Sequence, residues 1–230
     1  GVPAGLARWG GGTPDGYFDG YLARLAEEVR QSGGVLHSRK YTEYSRVVIA
    51  LTALGQDPRD FAGFDLLSPL GDVERVTFQG VNGAAYALLA LDCGRYDMPG
   101  VRQEYVRCIL QAELPDGGFA LAGERPDPDV TAMVLQALSR YRGSAEVDAA
   151  VGRAVDRLSQ MQNEDGGYAG WSSDNCESTA QVIVALCTLG IPLDDPRFVK
   201  NGGLLDNLLS YRLPDGSFAH IPGGSADLLA

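Results

Sequence analysis

From residue 17 to residue 212 the apolar positions recur with helical spacing, and two kinds of helix alternate. Tyr17, Phe18, Tyr21, Leu22, Leu25 and Val29 fall at i, i+3 and i+4 spacing, which predicts an amphipathic helix ending at Gly33-Gly34. A second helix is expected over 41–54, and its centre Val47-Val48-Ile49-Ala50-Leu51 is apolar on nearly every side. Residues 82–93, 129–141 and 177–189 share that all-round apolar character. Residues 100–113, 145–161 and 201–212 are amphipathic instead, as Val147, Val151, Val155 and Leu158 illustrate. A shorter mixed segment covers 59–76. At the start, Leu6-Ala7 reads as a helix end before Gly10-Gly11-Gly12, and Pro14 as a helix start, where its missing N–H costs nothing. No period-two strand is expected.

A helix that is apolar all round is buried all round. The Ala-Leu pairs at 50–51, 90–91, 137–138 and 185–186 are spaced by 40, 47 and 48 residues. Three turns, Asp116-Gly117-Gly118, Asp165-Gly166-Gly167 and Asp215-Gly216-Ser217, are spaced by 49 and 50. A two-helix unit repeated at this interval predicts a stacked or closed helical array. The apolar helices favour closure, because an inner helix of a ring is surrounded on most sides. Asp-Gly and Gly-Gly supply the positive φ of a tight turn, so the turns read as punctuation rather than as sites.

Composition narrows the function classes. The net charge of −11 argues against a nucleic-acid partner, because phosphate backbones require clustered Lys and Arg. Solubility is the ordinary meaning of that charge; a cationic or metal-bearing ligand is the sharper one. Thirty glycines among 230 residues are nearly twice the usual share and fit a turn-rich repeat. Cys93, Cys108, Cys176 and Cys187 form no Cys-x-x-Cys pair, which removes zinc-ribbon and thioredoxin-like readings and leaves disulfides open. No apolar run is long enough for a membrane span. Nucleophile-elbow, P-loop and dinucleotide fingerprints are absent from the sequence.

Aligning the apolar helices on their Ala-Leu pairs brings Thr42, Asn82, Asp129 and Glu177 to equivalent places near the helix starts. Capping and the helix dipole each favour such residues there. In a ring the same ends surround one mouth of the central funnel. Tyr41, Tyr44, Tyr86, Phe119, Tyr168 and Trp171 lie near helix starts or turns, where they either pack helix ends or line that funnel. A mixed aromatic and acidic wall suits an amphipathic or cationic small molecule. The ligand-binding candidates are therefore Asn82, Tyr86, Asp129, Trp171 and Glu177. His37, beside Arg39 and Lys40, reads as a solvated loop residue.

The repeat resembles the terpenoid cyclase and protein prenyltransferase superfamily. Leu158-Ser159-Gln160-Met161-Gln162-Asn163-Glu164-Asp165-Gly166-Gly167-Tyr168 is similar to its Gln-Trp motif, with Tyr in the Trp place. Gln111 through Phe119 and Asp215 through Phe218 are looser copies. Asp127-Pro128-Asp129-Val130-Thr131-Ala132 is similar to the catalytic Asp motif of squalene-hopene cyclases, with Val130 replacing the last Asp. The resemblance implies an all-α fold, the α/α toroid of alternating inner and outer helices, spanning 1–230 as one domain of a longer multidomain protein. The run from Phe78 to Asp92 looks typical of toroids in bacterial secreted or cell-surface proteins, which implies that localisation and a C-terminal β domain like that of transcobalamin.

Two chemistries follow from the resemblance. Asp127 and Asp129 are the catalytic candidates, Asp129 matching a proton donor to an alkene. Asp174-Asn175-Cys176 has the Asp-x-Cys spacing of the prenyltransferase zinc site, with His220 as a third ligand. The residues after Cys176 lack the aromatic character of those enzymes, and the chain is too short for a two-domain cyclase. The expectation is a non-catalytic small-molecule-binding or scaffolding toroid without a cofactor or zinc. The alternative is an isoprenoid-handling enzyme of the cyclase or zinc prenyltransferase type.

Overall fold

The computed structural model describes residues 16–98, 100–170 and 173–227. The readings on Leu6, Ala7, Pro14 and Trp171 lie outside these residues. The chain divides into two compact units, Gly1–Cys108 and Ile109–Ala230.

In the first unit α1 spans Asp19–Gln31, α2 Thr42–Ala53, α3 Val73–Thr77 and α4 Gly80–Cys93; α5, Val101–Gln111, begins there. The apolar helix α4 packs along α2 and across α3. Its Val81, Ala84, Ala85, Ala87, Leu88, Ala90 and Leu91 are buried, as the all-round apolar pattern predicts. Gly83 makes the close crossing with α3: a Cβ there would sit 1.9 Å from the Val76 carbonyl oxygen. Arg102 closes the C-terminal end of α4, donating to Leu91 O at 2.9 Å, Tyr96 O at 2.6 Å and Asp92 Oδ1 at 3.0 Å. The mixed segment 59–76 resolves into a 3-10 turn, Ser68–Gly71, and the start of α3, where Asp72 caps by accepting from Arg75 N.

In the second unit α6 spans Pro128–Leu138, α7 Ala145–Met161, α8 Cys176–Leu189 and α9 Leu204–Ser210. The two apolar helices, α6 and α8, lie against each other, α7 flanks α6, and α9 flanks α8. Nine of the eleven residues of α6 are buried, whereas α7 buries one stripe, Val147, Ala150, Val151, Ala154, Val155 and Leu158. Apolar and amphipathic helices thus hold the inner and outer roles their patterns imply. The expected 201–212 helix is shortened at its start because Gly202-Gly203 precede it; Gly203 is extended. One departure is a two-residue antiparallel ribbon, β1 Ala169–Gly170 with β2 Ser173–Asp174, too short to leave a period-two signature.

The three turns are built alike. Leu114, Asn163 and Leu213 each donate a backbone N–H to the residue four on, Gly118, Gly167 and Ser217, at 2.8–2.9 Å. The Asp of each turn accepts from the backbone N–H two residues later, at 3.0–3.1 Å. Gly117, Gly166 and Gly216 have φ of 85°, 88° and 89°, a region that favours glycine. Outer-helix arginines then clasp the preceding repeat. Arg153 forks onto Glu113 at 2.6 and 2.7 Å, and Arg157 reaches Asp116 at 3.2 Å. The fold class is all-α, as expected.

Candidate functional site

The starts of α6 and α8 carry the polar groups, and the turn modules put them there. Phe119 N and Tyr168 N, just after the first two turns, donate to Thr131 Oγ1 at 3.0 Å and Thr179 Oγ1 at 3.2 Å. Phe119 and Tyr168 are fully buried, so each turn is pinned to the helix it delivers. Two of the expected funnel aromatics are thereby core anchors, and Tyr41 and Tyr44 are buried too.

The caps are not the aligned residues. Asp127 caps α6 through Oδ1, accepting from Asp129 N at 2.9 Å and Val130 N at 3.0 Å. Asn175 caps α8, accepting from Ser178 N at 2.8 Å. Asp129 and Glu177 stand one turn position inside, so the capping explanation for them is corrected: their carboxyls are left for other contacts. Thr42 and Asn82 likewise fall within the first turns of α2 and α4.

Asp129 is mostly buried, and burial pushes its carboxyl above the usual carboxylate range; the charges of Asp127 and Glu177 add to the rise. The Ser178 hydroxyl beside it works the other way. That contact falls short of hydrogen-bond geometry, because Asp129 Oδ1 and Ser178 Oγ are both shut from solvent with no partner. Two orphaned oxygens at one place cost about 1–3 kcal/mol each and mark a place where a donor would be welcome. Glu177 is tied instead to His220, whose Nδ1 lies 2.9 and 2.8 Å from the two carboxylate oxygens. Past Glu177, the less buried face of α8 continues through Gln181, Val184 and Thr188, and Gln181 Oε1 accepts from Gln136 Nε2 of α6 at 3.3 Å.

The zinc set does not form. Cys176 N donates to His220 O at 3.1 Å, so those two residues do meet, but their side chains go elsewhere. His220 faces Glu177, and Asp174 Oδ1 accepts from Asn163 Nδ2 at 2.7 Å. Burial and the Glu177 charge push the Cys176 thiol up to about 11. Among the described residues no group of three or more His, Cys, Asp or Glu is placed to hold a metal ion.

Asn82 and Tyr86 belong to the first unit. They lie with Leu89 on the half-buried stripe of α4. The Arg46 guanidinium sits 5.2 Å from the Tyr86 ring centroid, so a cation of the protein already covers one face of that ring. In the exposed loop before α2, His37 Nδ1 accepts from Arg39 N and Lys40 N at 3.0 Å, a turn-bracing role.

Sequence reasoning passed over Ser178, Thr131, Thr179 and Asn207. Thr131 and Thr179 were findable, since they repeat at the interval of the Ala-Leu pairs. Asn207 joins three parts of the repeat: it accepts from Thr179 Oγ1 at 3.0 Å and donates to Asp165 Oδ2 at 3.1 Å from within α9. No pattern in the α9 sequence announces that.

The second unit is thus a helical repeat with polar groups gathered at the starts of its buried helices. Residues 106–216 match the squalene-hopene cyclase C-terminal domain. That match covers just under half of the chain, and it supports the resemblance to the terpenoid cyclase superfamily, whose fold is the α/α toroid. The matched segment holds Asp127, Asp129, Asp174, Cys176 and Glu177, and stops short of His220. No curated protein matches the chain. No helix among the described residues is long and apolar enough to cross a membrane.

Proposed function

We propose that the chain is a non-catalytic small-molecule-binding toroid of a secreted or cell-surface protein. Its ligand presents a cationic or hydrogen-bond-donating group to the starts of α6 and α8. The observation that carries this is the pair of buried, unpartnered oxygens, Asp129 Oδ1 and Ser178 Oγ, beside Asp127 and Glu177. A cation or N–H donor there would satisfy the orphaned acceptor and lower the mutual repulsion of the acids. Val130, in the place of the motif's last Asp, is buried among apolar side chains and adds no acid.

A panel of primary amines and diamines, titrated by calorimetry against the wild type and Asp129→Asn, tests this. Saturable binding that Asp129→Asn weakens by about tenfold supports it, in line with the loss of one charge-assisted hydrogen bond. Stoichiometric zinc in the purified protein, lost on Cys176→Ala, would sink it.

The raised carboxyl of Asp129 favours one second reading, alkene protonation. A carboxylic acid kept protonated by burial and acidic neighbours is the group that reaction requires. Incubation with squalene separates the two. Cyclised product from the wild type and none from Asp129→Asn would replace the binding reading with an enzymatic one.

A further inference from the structure

A cleft of about 440 Å³ opens in the second unit between the loop before α6, the end of α7 and strand β1. That volume is within the roughly 300–1,000 Å³ of small-molecule sites. Its walls carry Leu121, Pro126 and Met161 as apolar surface and Arg125, Arg157 and Asp127 as charges. Asp129, Glu177 and His220 are not among its lining residues.

The two arginines differ in a way that matters. Arg157 is anchored, with Nη2 3.2 Å from Asp116 Oδ2 and Nη1 donating to Gln160 Oε1 at 3.2 Å. Its third donor, Nε, is shut from solvent and has no acceptor. A buried guanidinium N–H without a partner costs about 1–3 kcal/mol. Arg125 is exposed and makes no hydrogen bond or ion pair among the described residues. Asp127 is the single acid of the lining, and its Oδ1 is committed to the α6 cap. Asp116 offsets Arg157, so Arg125 is the cation of the lining left without an ion pair among the described residues. An unpaired guanidinium offers a carboxylate parallel N–H donors, so the recognition is by contact.

Leu121 supplies the apolar complement, at 47% exposure on the cleft rim. Covering it removes apolar area from water and rewards a ligand with a hydrocarbon body. We propose that this cleft binds an amphiphilic monoanion, with its carboxylate on Arg125 and Arg157 and its apolar chain along Leu121, Pro126 and Met161. A monoanion matches the one unpaired guanidinium; a dianion would meet the Asp127 carboxylate with charge to spare.

Decanoate, used below its micellar concentration, is the probe. Calorimetry of the whole chain should show saturable one-to-one binding. Arg125→Gln and Leu121→Ser, both at exposed positions, should each weaken it by about tenfold or more. Arg39→Gln, a cation removed from the first unit, should leave it unchanged. 1-Decanol and decyltrimethylammonium, of the same chain length, should bind at least tenfold more weakly. The proposal is overturned if either binds as tightly as decanoate, if Arg125→Gln has no effect, or if Arg39→Gln weakens binding as much as Arg125→Gln does. It is also overturned if no saturable binding occurs. Because the amine titrations use different probes and a different residue, failure here leaves the Asp129 reading standing, and the reverse holds.

Discussion

His220 and Glu177, 43 residues apart, meet with Nδ1 at 2.8 and 2.9 Å from the two carboxylate oxygens. The contact is made possible by the repeat: the third Asp-Gly turn returns the chain so that His220 O accepts from Cys176 N at 3.1 Å, setting the ring over the first turn of α8. Glu177 is thereby held between His220 and Asp129, and it is one of the charges that raise Asp129. Glu177 thus hydrogen-bonds His220 and acts on Asp129, which brings three repeats together at one place.

That linkage predicts the direction of individual changes. Glu177→Gln removes one acidic neighbour and should lower the Asp129 pKa. Ser178→Ala, which removes a hydroxyl that makes no hydrogen bond to Asp129, should move it far less. Carbon-detected NMR titration of the Asp129 carboxyl in each variant reads the comparison. Equal pKa values in the wild type and Glu177→Gln would mean that the two carboxyls are not coupled.

The same group makes stability depend on pH in an unusual direction for an aspartate. Its native pKa lies above the unfolded value of 3.8, so folding favours the protonated form. The stability it contributes is fully present below pH 3.8 and is lost as pH rises through the native pKa. Asp129→Asn cannot ionise, so it should be more stable than the wild type near pH 7, with the difference shrinking toward pH 3.5. Asp57 and Asp195, held at about 2 by Arg59 and Arg197, oppose this at the acid end but cancel in the comparison. Urea denaturation of both proteins at several pH values measures it.

The backbone makes a sharper prediction through two glycines. Gly166 has φ of 88°, and a Cβ there would lie 2.7 Å from the carbonyl oxygens of Gly202 and Gly203. Gly166→Ala should cost about 1–3 kcal/mol from conformation alone, and more from the clash with two backbone groups. Gly152 is an exposed residue inside α7, with nothing within 4 Å of its added Cβ. Gly152→Ala should stabilise by about 0.5–1 kcal/mol, because it lowers the entropy lost on forming the helix. Thermal melts that shift in opposite directions support the repeat geometry.

The sequence made the helices legible because their signal is local. Two helical textures and a repeated turn identify α6 through α8 and the interval between them without any contact being known. The residues at the helix starts were also found, but their roles were interchanged. Asp127 and Asn175 cap, while Asp129 and Glu177 do not, because Pro128 begins α6 one residue earlier than the Ala-Leu alignment implies. Asn207, Ser178 and the partner of His220 depend on contacts between repeats. Those partners lie 28 to 49 residues away in the chain, so no local pattern exposes them. Tyr86 shows the same limit: its aromatic character was evident, but Arg46 stacked on it was not.

The cysteines offer a last test, which bears on the metal alternative as well as on the fold. Cys176 is buried, and burial with the Glu177 charge beside it pushes the thiol up to about 11. Cys187, on the less buried side of α8, is exposed. Thiol reactivity follows thiolate fraction and access together. Iodoacetamide at pH 8 should therefore modify Cys187 readily in the native protein and leave Cys176 untouched until urea unfolds the chain. Mass spectrometry of tryptic peptides distinguishes the two sites. Early modification of Cys176 in the native state would mean a thiolate at the start of α8, which would restore the ligand chemistry that its burial opposes.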